Sequence, residues 1–257
     1  MDWQRYDVAL FDMDGVLTPT ARVHMQAWEA AFTALFRARG ITPPYGDDDY
    51  FRYVDGRPRY DAVRAVLASR GVVLPEGGPA EAPVAGTGTE PVTGTEPGIV
   101  TEPGTDTVRS VGDAKNHHFL RLLGDGVPPY PDAVVLLDRL AARGVPCAVV
   151  SSSRNARAVL DAAHLTPRFR VVVDGVVALR EGLPGKPSPA TFQHAARLLG
   201  APVDRAVVLE DAVSGVAAGA AGGFGAVVGV DRGAGVEALR AAGADVVVAD
   251  LTDLVGR

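Results

Sequence analysis

Short, continuously apolar runs alternate along the chain with longer stretches of helical spacing. Val8–Phe11 ends at Asp12, Cys147–Val150 at Ser151, Val171–Val173 at Asp174, residues 206–209 at Glu210-Asp211, Ala226–Val230 at Asp231 and residues 246–249 at Asp250. Apolar runs without polar alternation suit strands covered on both faces, the environment of a parallel sheet. Between them lie stretches such as residues 132–143, closed by Gly144 in the manner of a helix C-terminal stop. Strand and helix in alternation predict an α/β fold built on a doubly wound parallel sheet. Ligands of such sheets gather beyond the carboxyl ends of the strands, where Asp12, Ser151, Glu210 and Asp211 fall.

The alternation breaks once. No comparable strand follows the first until Cys147, and the interval holds helical patterns instead. Trp28, Ala31, Phe32, Leu35 and Phe36 make one apolar face, ended by Gly40; residues 61–70 make a second helix, ended by Gly71, and residues 115–123 a third. The expected division is a catalytic core from residues 1–20 and 127–257 and an inserted helical cap from residues 21–126, positioned to act as a lid. Within the cap, residues 76–107 form a low-complexity loop in which Thr-Glu-Pro recurs at Thr89, Thr95 and Thr101. This segment is rich in Pro and Gly and poor in large apolar side chains, so it is read as disordered or mobile. Three copies of so short a motif are too few for a solenoid.

Composition narrows the choice of partner. The 257 residues carry a formal charge of −6, with 47% hydrophobic and 22% charged residues, which predicts a soluble globular protein that does not bind nucleic acid. Cys147 is the only cysteine, so disulfides are excluded and a reducing, cytoplasmic location is expected. No apolar stretch approaches the ~20 residues of a membrane span, and residues 1–7 lack a signal-peptide pattern. A monomer acting on a small charged metabolite is the resulting expectation.

The candidate chemistry lies where the acidic loops converge. Burying Asp12 and Asp14 after an apolar strand costs several kcal/mol unless a cation or donor meets them. Glu210 and Asp211 fall at the same sheet edge, and an all-oxygen cluster of this kind favours Mg²⁺. Lys186, in Gly-Lys-Pro-Ser-Pro, and Ser151 add donors for an anion. Acids for a metal together with donors for an anion are the requirements of phosphoryl transfer, with Asp12 as nucleophile and Asp14 as acid/base. Competing motifs fail on spacing: Lys186 is followed by Pro187 and lacks the upstream glycine of a phosphate-binding P-loop, and Gly223-Phe-Gly225 ends in Val228 where a dinucleotide fingerprint needs glycine.

Four elements in order, Asp12-Met-Asp-Gly-Val16, Ser151, Lys186 and Glu210-Asp211 before a Gly- and Ala-rich helix, resemble the four motifs of the haloacid dehalogenase superfamily. Finer matches resemble its β-phosphoglucomutase-like branch: Thr18 to Trp28, with Thr20, His24 and Trp28 at matching offsets; Gly56-Arg-Pro-Arg59; Lys115-Asn116; and Ser151-Ser-Ser153-Arg154-Asn155. The resemblance implies that Asp12 is phosphorylated and that Asp14 protonates the leaving oxygen. It also implies that Asp12, Glu210, Asp211 and the Asp14 carbonyl hold Mg²⁺, while Ser151 and Lys186 bind the transferring group. Substrate contacts fall on Thr20, His24, Trp28, Arg59, Lys115, Asn116, Ser153, Arg154 and Asn155, with Arg59 gripping a second phosphate. The implied reaction interconverts β-glucose 1-phosphate and glucose 6-phosphate through glucose 1,6-bisphosphate, with substrate supplied by a disaccharide phosphorylase. The alternatives are a Mg²⁺-dependent sugar-phosphate phosphatase of the same fold and a non-catalytic phosphate-sensing module. Arg154 stands where lysine is usual, Ala190 where aspartate is common and Ala212 where serine often follows. Plainer readings make Trp28 cap core, His117 and His118 surface residues, and residues 47–49 a solvated acidic loop.

Overall fold

A computed structural model describes residues 1–54, 57, 59–78 and 106–255. After β1 (Val8–Phe11) come α1 (Thr20–Arg39), the single turn α2 (Asp47–Asp49) with a π-type continuation at Tyr50–Val54, α3 (Arg59–Ala68) and α4 (Val108–Leu123). The chain continues through α5 (Pro131–Ala142), β2 (Cys147–Val150), α6 (Ala156–Ala162), β3 (Val171–Val173), α7 (Gly175–Arg180) and α8 (Ala190–Leu198). It closes with β4 (Ala206–Glu210), α9 (Val213–Ala221), β5 (Ala226–Val230), α10 (Val236–Ala241) and β6 (Val246–Val248). Two compact units result, Met1–Ala21 with Leu123–Arg257, and Arg22–Leu122. The second crossing falls at 122/123, four residues before the expected 126/127 boundary.

In the first unit all six strands are parallel, in the order β3-β2-β1-β4-β5-β6. Each apolar run seen in the sequence is a strand. The central ones, β1 and β4, are buried along their whole length, which accounts for runs of Val, Ala, Leu and Phe without alternation. One core cluster joins Val8, Leu10, Ala148, Val150 and Val208 to Phe192 and Ala195 of α8; a second joins Val227 to Val216 of α9 and Leu239 of α10. The strand order reverses direction between β1 and β4, and the pairing Phe11↔Leu209 aligns their carboxyl ends. Asp12 N–H donates to Leu209 O at 2.9 Å, so Asp12 and Glu210 sit at the reversal point where such sheets bind ligands.

The second unit has an aromatic core. Trp28 stacks on Phe32 at 5.3 Å and Phe32 on Tyr45 at 4.8 Å, with Phe36, Val63, Val66 and Leu67 buried around them. α4 begins at Val108, well before residue 115 where the apolar pattern first shows. Thr107 and Ser110 cap its start reciprocally, with Thr107 N donating to Ser110 Oγ at 2.9 Å and Ser110 N to Thr107 Oγ1 at 3.0 Å. Residues 47–49 form a helical turn where a loop was expected; Asp47 and Asp48 are exposed as expected, while Asp49 accepts from the buried Arg70 guanidinium at 2.6 and 2.8 Å. The reading of the Thr-Glu-Pro segment falls on residues 79–105, outside the described residues. Its described flanks are held, Glu76 by Arg64 at 2.8 Å and Asp106 by Arg39 at 2.8 Å.

Phe32 is fully buried and stacked on both sides. Phe32→Ala is expected to destabilise this unit by about 3–5 kcal/mol; urea unfolding followed by Trp28 fluorescence measures it.

Candidate active site

The residues the sequence singled out at strand ends converge within the first unit. Lys186 is buried and its Nζ donates to three acceptors: the Asp12 carboxylate, Glu210 Oε1 at 2.7 Å and Val150 O at 3.1 Å. Its ammonium also lies 4.9 Å from the Phe192 ring centroid. Carboxylate oxygens of Asp12, Glu210 and Asp211 fall within 4.8 Å of one another. Three acids and one lysine thus share a site in which Asp12 is 7% and Glu210 1% exposed.

Backbone shape allows this crowding. Gly15 has φ +86°, and a Cβ there would lie 1.9 Å from Asp211 Oδ2. At Gly215, in the first turns of α9, a Cβ would lie 1.6 Å from Glu210 Oε1. Both glycines are therefore sites of close approach, where any side chain would evict a carboxylate. Glu210 is held by Ala212 N–H, which donates to Oε2 at 2.7 Å. Asp14 stands apart from the three acids in its bonding: its carboxylate accepts from the Thr20 hydroxyl, which in turn meets Thr18 Oγ1 at 3.2 Å.

Burial dominates the electrostatics. It raises the Asp12 carboxyl to about 8, with Glu210 and Asp14 adding to the rise and Lys186 opposing it. Asp211 is pushed up to about 9 by burial and by Asp12, Glu210 and Asp14. Burial alone would lower the Lys186 ammonium, but Asp12 and Glu210 hold it above its ordinary range.

Ser151 follows Val150, whose carbonyl accepts from Lys186, and its own buried Oγ accepts from Ser153 N–H at 3.1 Å. Ser153 Oγ accepts from Asn155 N–H at 3.1 Å, and the Ser153 carbonyl from Gly175 N–H at 3.1 Å. Arg154 is exposed, its stem running over Gly175.

The other expected substrate residues lie in the second unit. Arg59 donates to Asn116 Oδ1 at 2.7 Å and lies 4.0 Å from Asp113, which Tyr60 OH also reaches at 2.9 Å. Lys115 is buried, donates to His24 Nδ1 at 2.8 Å, and lies 4.6 and 5.3 Å from the Phe119 and Trp28 centroids. An ammonium has only donors, so His24 Nδ1 accepts and the ring proton sits on Nε2. Burial, with Lys115 and Arg59 nearby, holds His24 well below the usual histidine range, hence neutral. Trp28 is 4% exposed and belongs to the aromatic core. Gly56 and Pro58 of the expected Arg59 motif lie outside the described residues.

A family model of haloacid dehalogenase-like hydrolases matches residues 6–223. The chain belongs to that family. Within it the chain falls in the β-phosphoglucomutase-like branch: a β-phosphoglucomutase of Mycobacterium bovis is 40% identical over 262 residues, spanning 98% of this chain and 92% of the relative. A validoxylamine A 7'-phosphate phosphatase of Streptomyces hygroscopicus subsp. limoneus is 29% identical over 250 residues, 97% of this chain and 96% of the relative. The crystal structure of a Clostridium difficile β-phosphoglucomutase, 20% identical, superposes with a TM-score of 0.69 over 97% of this chain and 93% of its own, which attests the fold.

Haloacid dehalogenase enzymes generally use Mg²⁺, and the residues present fit it. The donors are all carboxylate oxygen, as a hard cation prefers, and two missing Cβ atoms leave room for them to gather. Burial and the repulsion among Asp12, Glu210 and Asp211 raise the Asp12 and Asp211 carboxyls even with Lys186 beside Asp12, and a bound dication would offset that repulsion. Asp12, Glu210 and Asp211 would hold it.

Sequence reasoning missed several contributors. Phe192 lies under Lys186, Asp113 braces Arg59, and Arg232 and Asp132 meet beside the loop after β1. Arg232 and Asp132 are one hundred positions apart, and no local pattern joins them.

Because the folded carboxyls of Asp12 and Asp211 titrate above their unfolded values, the fold binds extra protons between the carboxylate range and pH about 8–9. Stability therefore falls as pH rises through that window. In EDTA, Tm at pH about 8.5 is expected below Tm at pH about 6. Saturating Mg²⁺ should raise Tm more at the higher pH, and Asp211→Asn should remove most of that rise. Differential scanning fluorimetry reads all three.

Proposed function

We propose that the protein is a β-phosphoglucomutase, interconverting β-glucose 1-phosphate and glucose 6-phosphate through an aspartyl phosphate on Asp12 and glucose 1,6-bisphosphate. One observation carries the phosphoryl-transfer reading: a carboxylate at the end of β1, held by a buried lysine and flanked by two further acids at the sheet's reversal point. Asp12 Oδ attacks phosphorus, the bond from phosphorus to the sugar oxygen breaks, and Asp14 gives that oxygen its proton. In the other half-reaction the free 6-hydroxyl of β-glucose 1-phosphate loses its proton to Asp14 and takes the phosphoryl group from Asp12, which gives glucose 1,6-bisphosphate. Lys186 offsets the negative charge carried by the transferring group. Bound Mg²⁺ supplies further charge neutralisation there.

Asp14 suits the acid/base role, because its carboxylate bonds to a neutral hydroxyl, Thr20, while Lys186 takes Asp12 and Glu210. The choice of mutase over phosphatase is supported by the full-length Mycobacterium bovis relative and by the basic pair Arg59 and Lys115 in the second unit, to which a second phosphate is assigned. A phosphatase is the second reading, favoured by the 29% identical Streptomyces relative.

With Mg²⁺, β-glucose 1-phosphate and a trace of glucose 1,6-bisphosphate, the purified protein is expected to form glucose 6-phosphate with little free phosphate. Free phosphate as the main product would reject the mutase reading. Asp12→Asn should abolish turnover, and Arg59→Ala should lower kcat/KM by about 10²-fold, the loss of roughly 2.7 kcal/mol of phosphate binding.

A further inference from the structure

The loop at residues 12–18 is fixed from within and from without. Within it, Gly15 N–H donates to Thr18 O at 2.9 Å, and Leu17 and Thr18 N–H donate to Met13 O at 2.9 and 3.1 Å. From without, the Gly15 carbonyl accepts from Arg232 Nε at 3.2 Å. Arg232 sits in the turn after β5, where Asp231 Oδ1 accepts from Gly233 and Gly235 N–H at 3.0 and 3.1 Å.

The remaining edges of the guanidinium are also engaged. Nη2 donates to Asp132 Oδ2 at 2.6 Å, Nη1 to Ala249 O at 3.0 Å, and the plane lies 4.1 Å from the Tyr130 ring centroid. Asp132 Oδ2 also accepts from Leu251 N–H at 2.9 Å, and Tyr130 N–H donates to Leu17 O at 2.9 Å. One side chain therefore joins the start of α5, the segment after β6 and the loop that carries Asp12 and Asp14. A planar fork suits such a joint, and a lysine could not reproduce it.

The place where this joint ends is the informative feature. Gly15 follows Asp14 directly, and its missing side chain is what admits the Asp211 carboxylate. Displacing the Gly15 peptide would move the Asp14 backbone and the wall against Asp211 together. Asp132 already balances the guanidinium's charge, so Arg232 acts on the loop through geometry.

We propose that Arg232 is a positioning residue for phosphoryl transfer: by gripping the Gly15 carbonyl, and being gripped by Asp132 and Tyr130, it sets where Asp14 and the Asp211 wall stand relative to Asp12. This rests on reading residues 12–18 as the nucleophile and acid/base loop. Arg232→Met keeps the apolar stem and removes every donor; Arg232→Lys keeps the charge and removes the fork. For Arg232→Met, kcat is expected to fall about 10²-fold, the scale of a misplacement near 1 Å, with KM within about twofold of the parent. Amide hydrogen exchange should rise across residues 12–18 and stay unchanged in β2 and β4. Arg232→Lys should show the same split at smaller amplitude, and it carries the test alone if the methionine variant does not fold.

An unchanged kcat per folded molecule, or exchange rising evenly through the sheet, would overturn the proposal and leave Arg232 a structural brace. The exchange measurement needs no substrate. It therefore reports on the loop even if the parent releases phosphate instead of glucose 6-phosphate, which keeps failure of this proposal separate from failure of the mutase reading.

Discussion

Carboxylates taken out of water at one end of a sheet repel one another, and the first unit is arranged around that constraint. Lys186 answers part of it by bridging Asp12 and Glu210. The rest is met by backbone: Asp12 N–H is tied to β4, Ala212 N–H is aimed at Glu210, and two glycines give way to the acids' oxygens. The residual imbalance shows in the raised Asp12 and Asp211 carboxyls. Such crowding of acids suits a hard cation bound among them.

Much of this was legible in the residues themselves. A strand buried on both faces must be apolar throughout, so β1, β2, β4 and β5 announced themselves, and the acids ending β1 and β4 marked the reactive edge. The same logic failed where burial is partial or an element is short. In the first turns of α4 the apolar pair Val108 and Val111 is set among Arg109, Ser110, Gly112 and Asp113 and is short for a stripe, although that pair and the Thr107-x-x-Ser110 cap were usable signals. Asp49 read as solvated because the partner that fixes it, Arg70, lies on the far side of α3 in sequence. Arg232 and Asp132 were invisible for a related reason: each looks like an ordinary surface charge until the fold brings them together.

The second unit places unlike groups side by side. Lys115 is buried against two aromatic faces and a neutral imidazole. Ring quadrupoles and a lone pair both attract an ammonium, so these neighbours help to hold the cation out of water. The Arg59 guanidinium leans on Asn116 and lies 4.0 Å from Asp113.

The hydrogen bond from Asp12 N–H to Leu209 O bears on how the molecule is made. Neighbouring residues of a strand face opposite ways, so sliding β1 past β4 by a single step would present Phe11 or Met13 in place of Asp12. Both are hydrophobic, and such a slipped sheet would remain greasy, compact and inert. Correct strand alignment during folding is therefore as necessary to the site as the Asp12 side chain itself.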